Sequence, residues 1–347
     1  MLSLNVKTSK PYNVLIGAGL LDSVAKEISI LKKPGKCIIV SDDIVWALYG
    51  EKVKADLENA GYNVCEFVFA NGENSKNMET VLSILECCFE NQLTRSDFAI
   101  ALGGGIVGDI TGFASSIYLR GIDFIQIPTT LLSAIDSSVG GKTGVNCSYG
   151  KNLIGAFHQP IKVICDTNTF STLPYDIYTA GICEALKYGV IRDAALFDEI
   201  ASMEFDIEKT VYRCIEIKAE IVEKDEFDHG ERQLLNFGHT LAHSIEALSD
   251  FEISHGHAVG LGMLLISKAC ESKNLCAKGV SDKIKKALED YNIEYNNKFS
   301  AKELCFAALN DKKRKGDSIT LVIPEYMGKC SLYKIKISEL EEFITAG

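Results

Sequence analysis

The sequence predicts an α/β N-terminal domain on a mostly parallel sheet, followed by a mainly α-helical C-terminal domain. Two observations carry this. Up to residue 166, short apolar runs of strand length alternate with stretches of helical period, the pattern of parallel βαβ units. Beyond Leu173–Pro174 long helical patterns take over, and proline disfavours helix before itself but is tolerated in a helix's first turn. A chain of 347 residues is too long for one small core, and this change of character divides it into residues 1–173 and 174–347.

The elements follow in order. Val6 and residues 13–16 mark one or two strands outside the repeat. Residues 37–41 (CIIVS) read as a buried strand, 44–60 as a helix closed by Gly61, and 64–70 as the next strand. The loop NGENSK leads to a helix over 77–92, then a strand over 98–102 that runs into glycines. A second apolar helix covers 106–118, and strands cover 123–127 and 162–166. In the second half, helical patterns span 175–191, 207–228, 232–248, 257–273, 281–290 and 301–311. SITLVIP and KCSLYKI pair as a hairpin around Glu325–Gly328.

Composition narrows the function classes. Hydrophobic residues at 47% and charged residues at 24% are those of a globular protein. A net charge of -11 repels nucleic acid and anionic lipid, so neither is an expected partner. No apolar run is long enough to cross a bilayer, and the N-terminus lacks the basic head and apolar stretch of a signal peptide, so a soluble, cytoplasmic protein is expected. The twelve cysteines are scattered without C-x-x-C and lie mostly in apolar stretches, as reduced, buried thiols do.

Gly103, Gly105 and Gly108 satisfy G-x-G-x-x-G, with Gly104 a fourth glycine, between a strand and a helix. There, backbone N–H groups and a helix N-terminus can hold a pyrophosphate, although a tight strand-to-helix turn has the same composition. The turn follows the third strand-like segment rather than the first, so a bound dinucleotide implies a variant Rossmann-like arrangement. Asp42, at a strand end, can accept from ribose hydroxyls or cap the following helix.

Five of the six histidines fall between positions 229 and 257. His239 and His243 are at i and i+4 on one helix face, and Glu184 in the helix GICEALKYG can add a third ligand. Two imidazoles and a carboxylate with an open position are the form of a catalytic zinc. The pair does not require joint ligation, since one member can bind metal and the other substrate. Lys142 beside Gly140–Gly141, with Lys151–Asn152 close behind, is suited to an anion. An acidic chain with such loops suggests a small phosphorylated or carboxylated substrate.

These residues carry a family resemblance. NGENSK, GGGIVGD, YLRG, IPTTLLSAIDSSVGGKTGVN, GKNLIGAFHQP, TLP, EALKYG, RQLLNFGHTLAHSIE, SHGHAVGLGM and DKKRKG stand in the family's order, and the match runs from about Tyr12 to Phe343. The chain resembles the 3-dehydroquinate synthases, within the sugar-phosphate cyclases. The resemblance implies an NAD- and Zn²⁺-dependent lyase, with Co²⁺ as a possible substitute. Such an enzyme converts 3-deoxy-D-arabino-heptulosonate 7-phosphate (DAHP) to 3-dehydroquinate and phosphate in the shikimate pathway. Transient oxidation, phosphate elimination, re-reduction, ring opening and an intramolecular aldol closure follow one another.

Residue by residue, the resemblance implies Glu184, His239 and His255 as metal ligands. It implies Asp42, Glu73, Lys76, the turn Gly105, Ile106, Val107, Gly108 and Asp109, Thr129, Thr130, Lys142, Lys151, and the run Thr169, Phe170, Ser171 and Thr172 as cofactor contacts. Lys218 and Arg232 match the pair for the substrate carboxylate. Lys142, Asn152, Asn236, His243 and either Lys312 or Lys313 match the phosphate set, with Arg120 reaching it across a homodimer interface. Asp136 is expected near the nicotinamide end or the substrate, and Lys187 as a polar member of the pocket. One departure is visible: His255-Gly256-His257 stands where many relatives read H-G-E. His255 is retained as ligand, with His257 behind the site or facing solvent. The competing readings are a sibling cyclase, making 2-epi-5-epi-valiolone or 2-deoxy-scyllo-inosose, a metal-dependent polyol dehydrogenase, and a non-enzymatic NAD- or metal-binding module.

Overall fold

The computed structural model describes residues 1–310 and 317–345. Its strands are β1 (Leu2–Val6), β2 (Tyr12–Gly17), β3 (Lys36–Asp42), β4 (Asn63–Phe69), β5 (Phe98–Gly103), β6 (Asp123–Pro128), β7 (Lys142–Cys147), β8 (Gly150–Phe157), β9 (Lys162–Asp166), β10 (Ser318–Tyr326) and β11 (Lys329–Lys336). Seven of them form one sheet in the order β1-β2-β9-β6-β5-β3-β4. Only β1–β2 is antiparallel; the other five pairings are parallel.

The central strands β3, β5, β6 and β9 are buried on both faces because alternate residues are apolar on both sides. Cys37 and Ile39, Ile100 and Leu102, and Ile125 and Ile127 form one layer with Val24, Ile28, Val53 and Leu57 from two helices. Ile38 and Val40, Ala99 and Ala101, and Phe124 form the other, under Val81 and Ile84 of the Met78–Glu90 helix and Val107 and Ile110 of the Gly105–Ile117 helix. Near-continuous apolar strands with helices on both faces define a doubly wound α/β domain.

The strand order explains the displaced glycine turn. From β3 the chain moves outward to β4, then returns to the other side of β3 for β5. Ser41 and Leu102 are therefore register partners, and the carboxyl ends of β3 and β5 diverge at a topological switch point. The third strand of the α/β series carries the turn because it lies beside the first. Asp42 ends β3 at the same edge.

Contact clustering separates one compact unit, Met1–Leu173 with Ile207–Ala219, from a second, Pro174–Asp206 with Glu220–Gly347. The segment Ile207–Ala219 is where this differs from a single division at residue 173. The second unit is mainly helical, with the β10–β11 hairpin added.

Several sequence expectations require correction. The helix expected over 207–228 ends at Lys224, where the Asp225 carboxylate accepts N–H groups of His229, Gly230 and Arg232 at 2.9, 2.7 and 3.0 Å and turns the chain. The helix expected over 232–248 is two elements: a 3₁₀ turn Glu231–Asn236, then a helix His239–Leu248 entered through Gly238 at φ 80°. The next helix begins at His255, two residues earlier than its apolar period suggests. The helix over 44–60 contains a π-turn, Trp46–Gly50, between α-helical pieces. The β7–β8 hairpin is unanticipated: Gly144 pairs with Gly155, and glycine lowers any strand signal. The short helices Val24–Ser29, Ala194–Ala201 and Ile337–Thr345 were also missed by the periodicity. All twelve cysteines are free thiols, but Cys65, Cys87, Cys147 and Cys276 are only half-buried.

Candidate active site

Three helices of the second unit bring the histidine site together. Glu184 is fully buried on the helix Tyr175–Arg192, while His239 and His255 are each the first residue of their helices. Close approach at glycine sets the distances. A Cβ on Gly256 would lie 2.1 Å from the Ala180 carbonyl oxygen, and one on Gly262 2.2 Å from that of Gly238. The His255 helix therefore packs backbone to backbone against both the Glu184 helix and the entry to the His239 helix.

The Glu184 Oε1 atom lies 3.6 Å from His239 Nε2 and 3.4 Å from His255 Nε2, and the three donor atoms are all within 4.8 Å of one another. Two ligands about 2.1 Å from a tetrahedral Zn²⁺ stand about 3.4 Å apart. The spacing and donor types therefore fit such an ion. The remaining ring nitrogens are held: His239 Nδ1 is 3.2 Å from the Phe237 carbonyl oxygen, and His255 Nδ1 is 3.1 Å from Glu246 Oε2. Each acceptor takes the Nδ1–H, so Nε2 is the nitrogen turned toward Glu184 and the one that could bind a metal once it carries no proton. Burial, with Lys187 nearby, holds the His239 imidazole well below its usual pKa. Burial also opposes charge on His255, but the hydrogen bonds with Glu184 and Glu246 outweigh it and raise its pKa to about 9 in the metal-free chain. Lys187 is 1% exposed and its ammonium lies 2.5 Å from Glu184 Oε2.

In the first unit the switch point gathers a second polar set. Gly104 leads into the Gly105–Ile117 helix with no side-chain cap, which presents the first-turn N–H groups. A Cβ on Gly105 would come within 3.1 Å of Ser137 Oγ. Thr129 N donates to the Gly103 carbonyl at 3.0 Å, while its buried hydroxyl has no hydrogen-bond partner among the described residues. Uncapped amides, a glycine cradle and an orphaned hydroxyl fit a dinucleotide phosphate. Lys76 pairs with Asp109 at 2.6 Å; burial raises the Asp109 pKa and Lys76 partly offsets it.

The sequence profile for the 3-dehydroquinate synthase N-terminal domain matches residues 66–180, and that for the C-terminal domain matches residues 181–314. The 3-dehydroquinate synthases of Streptococcus sanguinis (strain SK36) and Streptococcus suis (strain 05ZYH33) are each 40% identical to this chain, with 99% of both chains covered. The chain belongs to the 3-dehydroquinate synthase family. Among solved structures, 2-epi-5-epi-valiolone synthase from Streptomyces hygroscopicus, with NAD⁺ and Zn²⁺ bound, aligns with a TM-score of 0.87 at 26% identity over 96% of each chain. A 2-deoxy-scyllo-inosose synthase complexed with carbaglucose-6-phosphate, NAD⁺ and Co²⁺ shares the fold, with a TM-score of 0.88 at 24% identity over the whole of both chains.

The other residues expected of a 3-dehydroquinate synthase fall as follows. Asp42 caps its helix, accepting from Val45 N at 2.9 Å. Glu73 accepts from Asn146 Nδ2 at 2.6 Å, and Asn146 Oδ1 accepts from Asn152 N at 2.9 Å. Asn146 thus ties the NGENSK loop to the hairpin bearing Lys142 and Lys151. Thr130 shares a 2.8 Å hydrogen bond with Ser133, and Ile106 and Val107 stand with Gly108 in the helix after the glycines. Thr169, Phe170, Ser171 and Thr172 lie on one 3₁₀ segment, with Thr172 Oγ1 2.6 Å from Tyr49 OH. Arg120 is exposed, with a left-handed φ of 70°.

Lys218 is engaged within the first unit, 2.8 Å from Asp136 Oδ1. Arg232, in the second unit, is 2% exposed and donates from its guanidinium to the Glu226 carbonyl. Asn236 ends the 3₁₀ turn before His239. The His243 ring lies 5.9 Å from that of His239 and 6.1 Å from that of His255. Lys312 and Lys313 lie outside the described residues. His257 is absent from the ligand trio; its Nε2 lies 2.8 Å from Thr179 Oγ1 on the Glu184 helix. Sequence reasoning missed Asn146, Thr179 and Glu246. Only Glu246 had a visible signal: His239, His243 and Glu246 stand at i, i+4 and i+7, a polar stripe on one helix face.

Proposed function

We propose that this chain is a 3-dehydroquinate synthase that converts DAHP to 3-dehydroquinate and phosphate, with NAD⁺ and a divalent metal, Zn²⁺ or Co²⁺. Full-length identity of 40% to curated enzymes of that name carries the reading. The buried trio of Glu184, His239 and His255 supports it. These three residues hold the metal, and the residues of the glycine turn, with Asp42, Glu73, Lys76, Thr129, Thr130 and the 169–172 segment, hold the dinucleotide. When bound, NAD⁺ supplies reversible hydride acceptance and the metal polarises the substrate's oxygens.

The chain's own residues orient the substrate. Arg232 offers a planar fork of N–H donors to the carboxylate, and Lys218 adds a point charge. Lys142, Asn152, Asn236 and His243 hold the phosphate oxygens with one of Lys312 and Lys313, and Arg120 serves the site of a partner copy in a homodimer. Asp136, held by Lys218, stands by the reacting end, and Lys187 keeps Glu184 in place as an ion-paired carboxylate. No helix among the described residues is long and apolar enough to cross a membrane, and we assign the enzyme to the cytoplasm.

The test is incubation with DAHP, NAD⁺ and Zn²⁺, following phosphate, NADH and the organic product together. Phosphate in large excess over NADH, with 3-dehydroquinate formed, is the expected result. One NADH per phosphate would instead indicate a dehydrogenase. Turnover of other sugar phosphates in preference to DAHP would indicate a sibling cyclase.

A further inference from the structure

We propose that Glu246 is a positioning residue for the metal site: its carboxylate holds the His255 imidazole so that Nε2 faces Glu184 and His239. The inference rests on the metal reading above and extends it to a residue that is not one of the three ligands. Glu246 is 3% exposed, and its Oε2 lies 3.1 Å from His255 Nδ1. A buried carboxylate needs donors, and one of them here is the ring N–H of a ligand. Its charge also raises the donor strength of the opposite nitrogen, as carboxylate–histidine pairs do behind metal ions.

The placement couples two ligands. His239 begins the helix His239–Leu248, and Glu246 lies two turns further along the same helix face. One rigid helix therefore supplies one ligand directly and orients another, on a different helix, through a hydrogen bond. His243, Glu246 and His255 also form a second group with donor atoms within 4.8 Å of one another. An ion there would take Glu246 as a ligand and cost His255 the partner that orients it, so the two arrangements compete. The Glu184 trio has the fully buried carboxylate and the inward-facing Nε2 atoms.

The test uses the full chain without substrate. Zn²⁺ affinity is measured by competition with a chromophoric chelator, and the Co²⁺-loaded protein is examined by visible absorption. The variants are Glu246→Gln, Glu246→Ala and, as a reference, His239→Ala. Gln keeps an acceptor without charge, so Zn²⁺ binding should weaken about tenfold, and about a hundredfold for Ala, with an altered Co²⁺ spectrum. Affinities within twofold of wild type and an unchanged spectrum in both Glu246 variants, while His239→Ala loses the metal, overturn the role of Glu246 and leave the site intact. Metal retained at wild-type affinity by His239→Ala overturns the site reading and the inference with it. If Glu246→Ala fails to fold, the near-isosteric Gln variant decides the question.

Discussion

The Lys218 ammonium sits 2.8 Å from Asp136 Oδ1, although 82 residues separate them in the chain, and Lys218 is only 5% exposed. Beside this pair, Asp109 lies 2.6 Å from Lys76 and also feels the charges of Lys218 and Asp136. Two lysines and two aspartates thus alternate in one network of the first unit, next to the glycine turn. Removing one partner leaves a poorly compensated charge, whereas removing both does not. In a double-mutant cycle of Lys218→Met and Asp136→Asn, followed by urea unfolding, the coupling should be about 0.5–3 kcal/mol. Additive single-variant effects would show that the contact contributes no stability.

The metal site should depend on a residue that cannot ligate. Ala at position 256 would put a Cβ 2.1 Å from the Ala180 carbonyl oxygen, a backbone atom unable to swing aside. The His255 helix must then shift away from the Glu184 helix. Gly256→Ala should cost about 1–3 kcal/mol of stability. It should also lower the zinc content of the purified protein, read by elemental analysis alongside the unfolding midpoint.

Arg232 should separate substrate binding from cofactor binding. Loss of a charge-assisted contact costs roughly 1.5–3 kcal/mol, on the order of ten- to a hundredfold in binding. Arg232→Ala should raise KM for DAHP by that factor and leave NAD⁺ and Zn²⁺ binding, measured by calorimetry, nearly unchanged. Unaltered DAHP kinetics in a folded variant would remove Arg232 from carboxylate recognition.

Acid stability should report on Asp225. Burial opposes its ionisation, but the backbone N–H groups of His229, Arg232 and Gly230 outweigh burial and hold its pKa below the usual carboxylate value. A depressed folded-state pKa contributes stability that is complete above the unfolded value, near 3.9, and lost as pH falls through the folded value. Asp225→Asn should therefore destabilise the protein at neutral pH and flatten the decline in stability below about pH 4. Equal steepness of that decline in variant and wild type would show that other carboxylates dominate it.

The central strands β3, β5, β6 and β9 were legible because each is a short apolar run, buried on both faces, and needs no partner to be recognised. The helix over 232–248 was not, because its apolar period continues through Phe237 and Gly238, where an extended ψ of 127° and then a left-handed φ of 80° break it. Likewise, two glycines pairing across β7 and β8 form a hairpin that carries no strand propensity. Asn146 joins residues 73 and 152 through two hydrogen bonds, a relation that no local pattern contains.

By itself the sequence determined the fold class, since apolar period is a local property written along the chain, and its motifs carried the family resemblance that implies the three candidate ligands. Tertiary structure alone decided which charges meet and which nitrogen faces inward. It placed Lys218 on Asp136, assigned His257 to Thr179, and set Glu246 behind His255. Hydrogen bonds and ion pairs act over about 3 Å. They depend on how separate helices pack, and here that packing is set by backbone approach at Gly256 and Gly262.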